Sequence, residues 1–222
     1  GADIVKFQNF DTSNLVTKKA KKAKYQLKNS PSENSQYEML KKLELSSETF
    51  QELENYARKL NIEFLSTAFD IESIKFLKKL NLKRYKVPSG EITNFPYLRE
   101  IAHSQKPIIM STGMATIKEI ENAIKVLQRF GALKENLSIL HCTSDYPAAF
   151  GDLNLKAIQT LKSKFSLEVG YSDHSLGIEV PIAAISLGAR IIEKHLTLNQ
   201  KMIGPDHLAS IEPESFKEMV KN

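Results

Sequence analysis

The sequence predicts an α/β fold, a (β/α)8 barrel that lacks its first strand. Three observations predict it. Short runs rich in branched and aromatic residues alternate with helix-length amphipathic segments along the whole chain, the order of a parallel sheet. Polar residues at the ends of successive runs, Thr67, Ser89, Ser111, Cys142, Ser172 and His195, recur at intervals of 22, 22, 31, 30 and 23 residues, close to the length of a βα unit. Every run also ends in polar groups. In a barrel all strand C-termini converge on one mouth, whereas an open doubly wound sheet uses a single crevice. Seven runs are present where a barrel needs eight, and residues 1–222 read as a single domain.

The seven strands are expected at Ala2–Gln8, Glu63–Ser66, Arg84–Val87, Pro107–Ser111, Leu137–His141, Leu167–Tyr171 and Ala189–Glu193. Between them, Ser47–Leu60 carries Phe50, Leu53, Ala57 and Leu60 at helical spacing, with Ser46 or Ser47 as cap. Thr116 and Glu119 form a capping-box pattern opening a helix that stops at Gly131. Leu155–Phe165, Val180–Gly188 and Glu212–Val220 complete the helical set. The first connection, Asn9 to about Ser46, is long, polar and lysine-rich. It reads as a loop at the mouth, placed to act as a substrate lid. Gly1-Ala2-Asp3 leads straight into a strand pattern, so the sequence is expected to be cut from something longer.

Composition narrows the function classes. The chain has 222 residues, 41% hydrophobic and 26% charged, as in an ordinary globular domain. No run approaches 18 apolar residues, which argues against a membrane partner. The single cysteine, Cys142, allows no internal disulfide and fits a reducing cytoplasm. The net charge of +5 is concentrated at Lys18, Lys19, Lys21, Lys22, Lys24 and Lys28. Without interleaved aromatics or a recognition motif this run does not signal nucleic acid. It is either a solvated face or a positive field for anionic substrates.

The chemistry-bearing residues sit at strand ends. His174 and His195 directly follow neighbouring strands, and imidazole suits a divalent transition ion that polarises a carbonyl. Lys6, Lys86, Ser89, Ser111, Ser144 and Ser172 supply cations and hydroxyls of the kind a phosphate needs. Lysines within apolar strands point into the barrel, where an ammonium is costly without an anion. Glu91 and Asp206 are carboxylates for sugar hydroxyls or for base work. His141 and Cys142 are adjacent in a strand and so face opposite sides, which argues against a Cys–His nucleophile. Ser111-Thr112-Gly113-Met114 lacks the flanking glycines of a hydrolase elbow.

Eight segments in order, Val5–Gln8, Leu65–Phe69, Tyr85–Glu91, Ser111–Met114, Leu140–Thr143, Gly170–His174, Ile192–His195 and Gly204–His207, resemble the sialic acid synthases. That family makes N-acetylneuraminate and its bacterial relatives legionaminate and pseudaminate. The resemblance implies a divalent metal, typically Mn²⁺ with Mg²⁺ or Co²⁺ as alternatives, on His174 and His195. It implies phosphoenolpyruvate on Lys6, Thr67, Lys86, Ser89, Ser144 and Ser172. An N-acetylmannosamine-type sugar would be gripped by Gln8, Glu91, Tyr146 and Asp206, with Glu91, His174 and His195 as the catalytic groups. The full-length enzyme is expected to be a homodimer, and residues near Tyr146 together with the first connection to choose the sugar. This sequence departs from the family at Ala68, where proline is usual, and at Ser144, where many relatives carry Asn or Thr. The family's first strand and its C-terminal antifreeze-like domain have no counterpart in these residues. Two competing readings are a Schiff-base aldolase using Lys86 or Lys194 and a non-catalytic domain that binds a sugar or a phosphorylated ligand.

Overall fold

The computed structural model describes residues 1–222. Seven strands form one parallel sheet in chain order: β1 (Ile4–Asn9), β2 (Glu63–Ala68), β3 (Tyr85–Val87), β4 (Ile108–Ser111), β5 (Leu137–Cys142), β6 (Glu168–Asp173) and β7 (Ile192–Lys194). Between β1 and β2 lie α1 (Thr12–Leu15), α2 (Lys24–Asn29), α3 (Gln36–Leu43) and α4 (Ser47–Lys59). The later strands are each followed by one helix: α5 (Ile71–Lys79), α6 (Phe95–Ala102), α7 (Ile117–Arg129), α8 (Ala157–Phe165), α9 (Glu179–Ser186) and α10 (Pro213–Lys221). No helix is long and apolar enough to cross a membrane.

All seven expected strands are present. The last begins later than Ala189, because the Ala189 N–H closes α9 by donating to Ala184 O. The capping box of α7 forms as expected, with Glu119 N–H donating to Thr116 Oγ1 and Thr116 N–H donating to Glu119 Oε2 at 2.7 Å. Asp70 caps α5 by accepting from Ser73 N–H at 2.8 Å.

Strand alternation gives the sheet two unlike faces. Phe64, Tyr85, Val87, Ile108, Met110, Ile139, Val169 and Tyr171 face the helices and join a cluster of 33 buried residues with Phe50, Ile74, Leu98, Ile101 and Leu127. Burial of each such side chain contributes about 1.5–3 kcal/mol. The intervening positions face the other way. Register pairs Gln8 with Thr67, Thr67 with Lys86, Ser111 with Leu140, Cys142 with Ser172, and Ser172 with Glu193. The inner face therefore carries lysines, hydroxyls and a carboxylate.

That inner face is strongly curved. In a flat sheet β1 and β7 would lie about 29 Å apart, six steps of about 4.8 Å. Instead Lys6 Nζ on β1 is 3.7 Å from Glu193 Oε2 on β7, a gap their side chains cannot span in a flat sheet. The sheet is a curled, barrel-like trough of seven strands, and an eighth strand is not part of it.

The first connection differs from the expected loop, since it folds into three short helices before α4. Polar caps account for this: Asp11 accepts from Ser13 N–H at 2.9 Å and Ser35 accepts from Glu38 N–H at 3.2 Å. Thr12 of α1 and Met39 of α3 are buried. The lysine run is not uniformly solvated either, because Lys22 is buried and donates to Ser30 O.

Candidate active site

The inner face of the trough gathers lysines, hydroxyls and a carboxylate from six strands, groups of the kind an anion needs. Lys86, 3% exposed, donates to Ser111 Oγ at 2.6 Å and lies 3.8 Å from Glu193 Oε1. Glu193 also faces Lys6 and accepts from Ser172 Oγ at 2.7 Å. Burial alone would raise the Glu193 carboxyl, but Lys6, Lys86 and the Ser172 hydroxyl hold it at about 2. Burial pushes the Lys86 ammonium down from the ordinary lysine value, against the pull of Glu193. Thr67 Oγ1 is buried beside Lys86 without a hydrogen-bond partner. An unmet buried hydroxyl is costly, and an oxygen-rich ligand relieves that cost.

At the open end of the trough two imidazoles meet. The ring centroids of His174 and His195 are 5.5 Å apart at 77°. His174 Nδ1 donates to the Thr143 carbonyl at 2.6 Å, and because that oxygen can only accept, the lone pair sits on Nε2. Nε2 is 3.5 Å from Ser172 Oγ. Burial lowers the His174 imidazole, and burial with the nearby Lys6 lowers His195 to about 3. Asp206 Oδ2 lies 3.7 Å from His195 Nδ1, and burial raises that carboxyl. Neutral imidazoles, one oriented by a backbone carbonyl, are the ligand form for a divalent ion. The donor set thus fits a two-histidine centre. No group of three or more His, Cys, Asp or Glu side chains converges on one point, so other coordination positions would fall to water or substrate.

Tyr146 stacks on His174 at 4.1 Å and meets His195 edge-on at 5.7 Å. Tyr25 of α2 stacks on Tyr146 in turn, at 5.3 Å. Burial, then Asp206, pushes the Tyr25 phenol up to about 12. The same helix is tied to the Asp206 loop, with Asn29 Nδ2 donating to Pro205 O at 3.0 Å. Ser89 and Ser144 meet at a second corner, around Gly113: a Cβ there would lie 2.6 Å from Ser89 Oγ and 3.1 Å from Ser144 Oγ.

Two candidates make no hydrogen bond or ion pair with the imidazoles. Glu91 accepts from Asn94 Nδ2 at 2.6 Å and lines a cavity of about 510 Å³ with Asn14, Asp70 and Tyr97. Gln8 is exposed at the end of β1. Lys194, one of the two aldolase candidates, faces the helix side, 1% exposed and ion-paired with Asp173. It is closed to a carbonyl substrate in the trough, and this removes it as a Schiff-base nucleophile. His141 and Cys142 do face opposite ways: His141 Nε2 donates to Leu153 O at 2.7 Å, while Cys142 Sγ accepts from Gly113 N–H at 3.2 Å.

The sequence reading does not single out Glu193 or Tyr25. Glu193 had a usable signal, since a carboxylate two residues before His195 in a strand faces the same side and needs a cation. Tyr25 had none, because its stacking partner is 121 residues away in the chain.

A sequence profile of the NeuB family matches residues 1–222. The chain is 55% identical over 217 residues to the N,N'-diacetyllegionaminic acid synthase of Campylobacter jejuni, covering 98% of this chain and 65% of the relative. It is 52% identical over 224 residues to the enzyme of the same name from Legionella pneumophila, covering 100% of this chain and 63% of the relative. It thus spans a little under two thirds of the length of these curated relatives. The crystal structure of an N-acetylneuraminic acid (sialic acid) synthetase from Leptospira borgpetersenii in complex with citrate superposes with a TM-score of 0.85 at 34% identity. That match covers 99% of this chain and 71% of the other. With a family match over its full extent and a solved relative of the same curled architecture, the chain belongs to the NeuB family.

Proposed function

We propose that this chain is the catalytic domain of a synthase that joins phosphoenolpyruvate to the aldehyde of an N-acetylated amino sugar, giving a nine-carbon sialic acid and inorganic phosphate. The sugar is a 6-deoxy diacetamido hexose and the product N,N'-diacetyllegionaminic acid, a reading supported by the names of the two relatives at 55% and 52% identity. The observation that carries the chemistry is the placement of Lys6, Lys86 and an unpartnered Thr67 hydroxyl beside two neutral imidazoles in one trough. One further parallel strand between β7 and β1 completes the (β/α)8 barrel, and the full-length protein works as a cytoplasmic homodimer.

Lys6 and Lys86 take the carboxylate and phosphate charges of phosphoenolpyruvate, helped by Thr67, Ser89, Ser144 and Ser172. In the free protein Glu193 occupies the place of such an anion between the two ammonium groups. Tyr146 forms a flat wall for the sugar, and Gln8, Glu91 and Asp206 take its hydroxyl and acetamido groups. His174 and His195 would hold a divalent ion, Mn²⁺ first, with Mg²⁺ or Co²⁺ as alternatives. When bound, the ion supplies Lewis acidity for the sugar carbonyl. The enol carbon of phosphoenolpyruvate bonds to the aldehyde carbon, whose oxygen takes up a proton. Water adds to the resulting electron-poor C2 and gives up a proton. Phosphate then leaves with cleavage of its C–O bond while the C2 hydroxyl gives up its remaining proton to the departing phosphate, and a ketone remains. Binding in adjoining sites lowers the entropic barrier to the carbon–carbon bond.

The test is a mass-spectrometric product assay on the full-length protein with Mn²⁺, phosphoenolpyruvate and each candidate sugar in turn. Phosphoenolpyruvate labelled with ¹⁸O in its bridging position should place the label in phosphate. Label retained in the sugar acid would exclude C–O cleavage. Ligand binding without turnover of any sugar would favour a binding domain instead.

A further inference from the structure

The histidines at the mouth each follow one member of a buried ion pair. Lys194 Nζ meets Asp173 Oδ2 on the helix side of the sheet, with side chains 1% and 0% exposed. Asp173 immediately precedes His174, and Lys194 immediately precedes His195. The two are register partners and form the final rung of the β6–β7 ladder. Beyond them the chains leave the sheet, and each imidazole turns to the mouth.

The pair is part of a closed network. Lys194 Nζ also donates to Ser175 O at 2.6 Å. Asp173 Oδ1 accepts from Ser175 N–H at 3.0 Å and from Ser175 Oγ at 2.7 Å. The residues before and after His174 are therefore held by one carboxylate, and that carboxylate is held by the residue before His195. β7 itself is short: it has three residues, and past its end His195 is tied by Ile211 N–H donating to His195 O at 2.8 Å. A strand end this short frays readily, which would alter the spacing of the two rings.

We propose that the Asp173–Lys194 pair is a positioning device that sets the separation of His174 and His195 for a shared divalent ion. This rests on the proposed two-histidine centre. A buried ion pair is weak evidence for stability as such, since apolar replacement of both partners is often neutral. Fixing the geometry of two ligands is a better reason for charge at this position. Neither residue hydrogen-bonds an imidazole; both act through the backbone of their neighbours, and the loss expected is of the size found for outer groups that orient metal ligands, about 10- to 100-fold.

The experiment measures Mn²⁺ affinity by the electron paramagnetic resonance signal of the free ion, in the full-length protein without substrates. The variants are Asp173→Asn with Lys194→Met, which removes both charges together, and Asp173→Asn alone, which keeps the acceptor for Ser175. Circular dichroism and melting establish that each is folded, and calorimetry measures phosphoenolpyruvate affinity without metal. The expected result is a folded double variant with Mn²⁺ affinity weakened about 10- to 100-fold and unchanged phosphoenolpyruvate affinity. A folded variant, double or single, with unaltered Mn²⁺ affinity overturns the proposal. An equal loss of affinity for both ligands also overturns it, because that marks general loosening. Failure of the unsubstituted protein to take up Mn²⁺ at all overturns the metal centre itself, and is recognised by its presence before any substitution.

Discussion

Gly113 sits so close to Ser89 that a Cβ added to it would lie 2.5 Å from the serine Cβ. Its φ of +51° is also a conformation that L side chains rarely adopt. Gly113→Ala is therefore expected to destabilise the protein by about 1–3 kcal/mol, a fall in melting temperature of roughly 3–10 °C. It should also raise the KM for phosphoenolpyruvate, because relief comes by displacing Ser89. A variant with unchanged melting and unchanged KM would show that this corner is neither tight nor in use.

Glu193 balances two lysines across the trough, so Glu193→Gln leaves both cations without a counter-charge. Removing one partner of a buried pair costs about 3–5 kcal/mol. Here about 2–3 kcal/mol is expected, because the Lys6 and Glu193 side chains are 20% and 18% exposed. An added anion should recover part of that loss. Differential scanning calorimetry should find phosphoenolpyruvate raising the melting temperature of Glu193→Gln more than that of the unsubstituted protein. An equal rise in both would contradict the idea that Glu193 holds the place of a ligand anion.

Tyr25 reaches the mouth by stacking on Tyr146, which stacks on His174. Losing one aromatic stack is worth about 0.5–1.5 kcal/mol beyond buried area. Tyr25→Ala should accordingly raise the KM for the sugar by up to about tenfold, while Tyr25→Phe keeps the ring and stays close to the parent. The KM for phosphoenolpyruvate should not follow. Steady-state kinetics with each substrate varied separately decides this, and a change in the phosphoenolpyruvate KM alone would place Tyr25 elsewhere in the mechanism.

Cys142 is 3% exposed, and burial pushes its thiol up from the ordinary value. A neutral, inaccessible thiol is a poor nucleophile. Titration with a disulfide reagent at pH 8 should find no reactive thiol in the folded protein and one after denaturation. Rapid reaction of the native protein would mean that the inner face opens.

Several carboxylates are held below their usual range. Lys41 lowers Glu44, Lys78 lowers Glu100, the Thr116 backbone N–H lowers Glu119, and Lys125 lowers Glu121. Groups whose folded pKa is depressed contribute stability that is present above their unfolded value, near 4.5, and is lost as pH falls through the folded one. Burial likewise holds His174 and His195 below the ordinary 6.5, so the urea midpoint should begin to decline as pH falls below about 6.5 and decline more steeply below about pH 4.5. A midpoint that holds steady down to pH 3 would contradict these pairings.

The local pattern of the chain was enough to find all seven strands, the α7 capping box and the opposite facing of His141 and Cys142. These depend on residues within one or two turns of each other, where side-chain period and capping chemistry are decided. It was also enough to nominate lysines in apolar strands as anion ligands, because burial of an unpaired ammonium is costly anywhere. The folding of residues 12–43 into three helices escaped it, since their caps are weak signals and their buried contacts, such as Thr12 with Glu44 and Asn29 with Pro205, are distant in the chain. The meeting of Lys6 with Glu193, 187 residues apart, was decided by tertiary structure alone. Alternation determines which face a side chain takes, but the curl of the sheet, summed over six strand pairings, determines which inward side chains come within reach of one another.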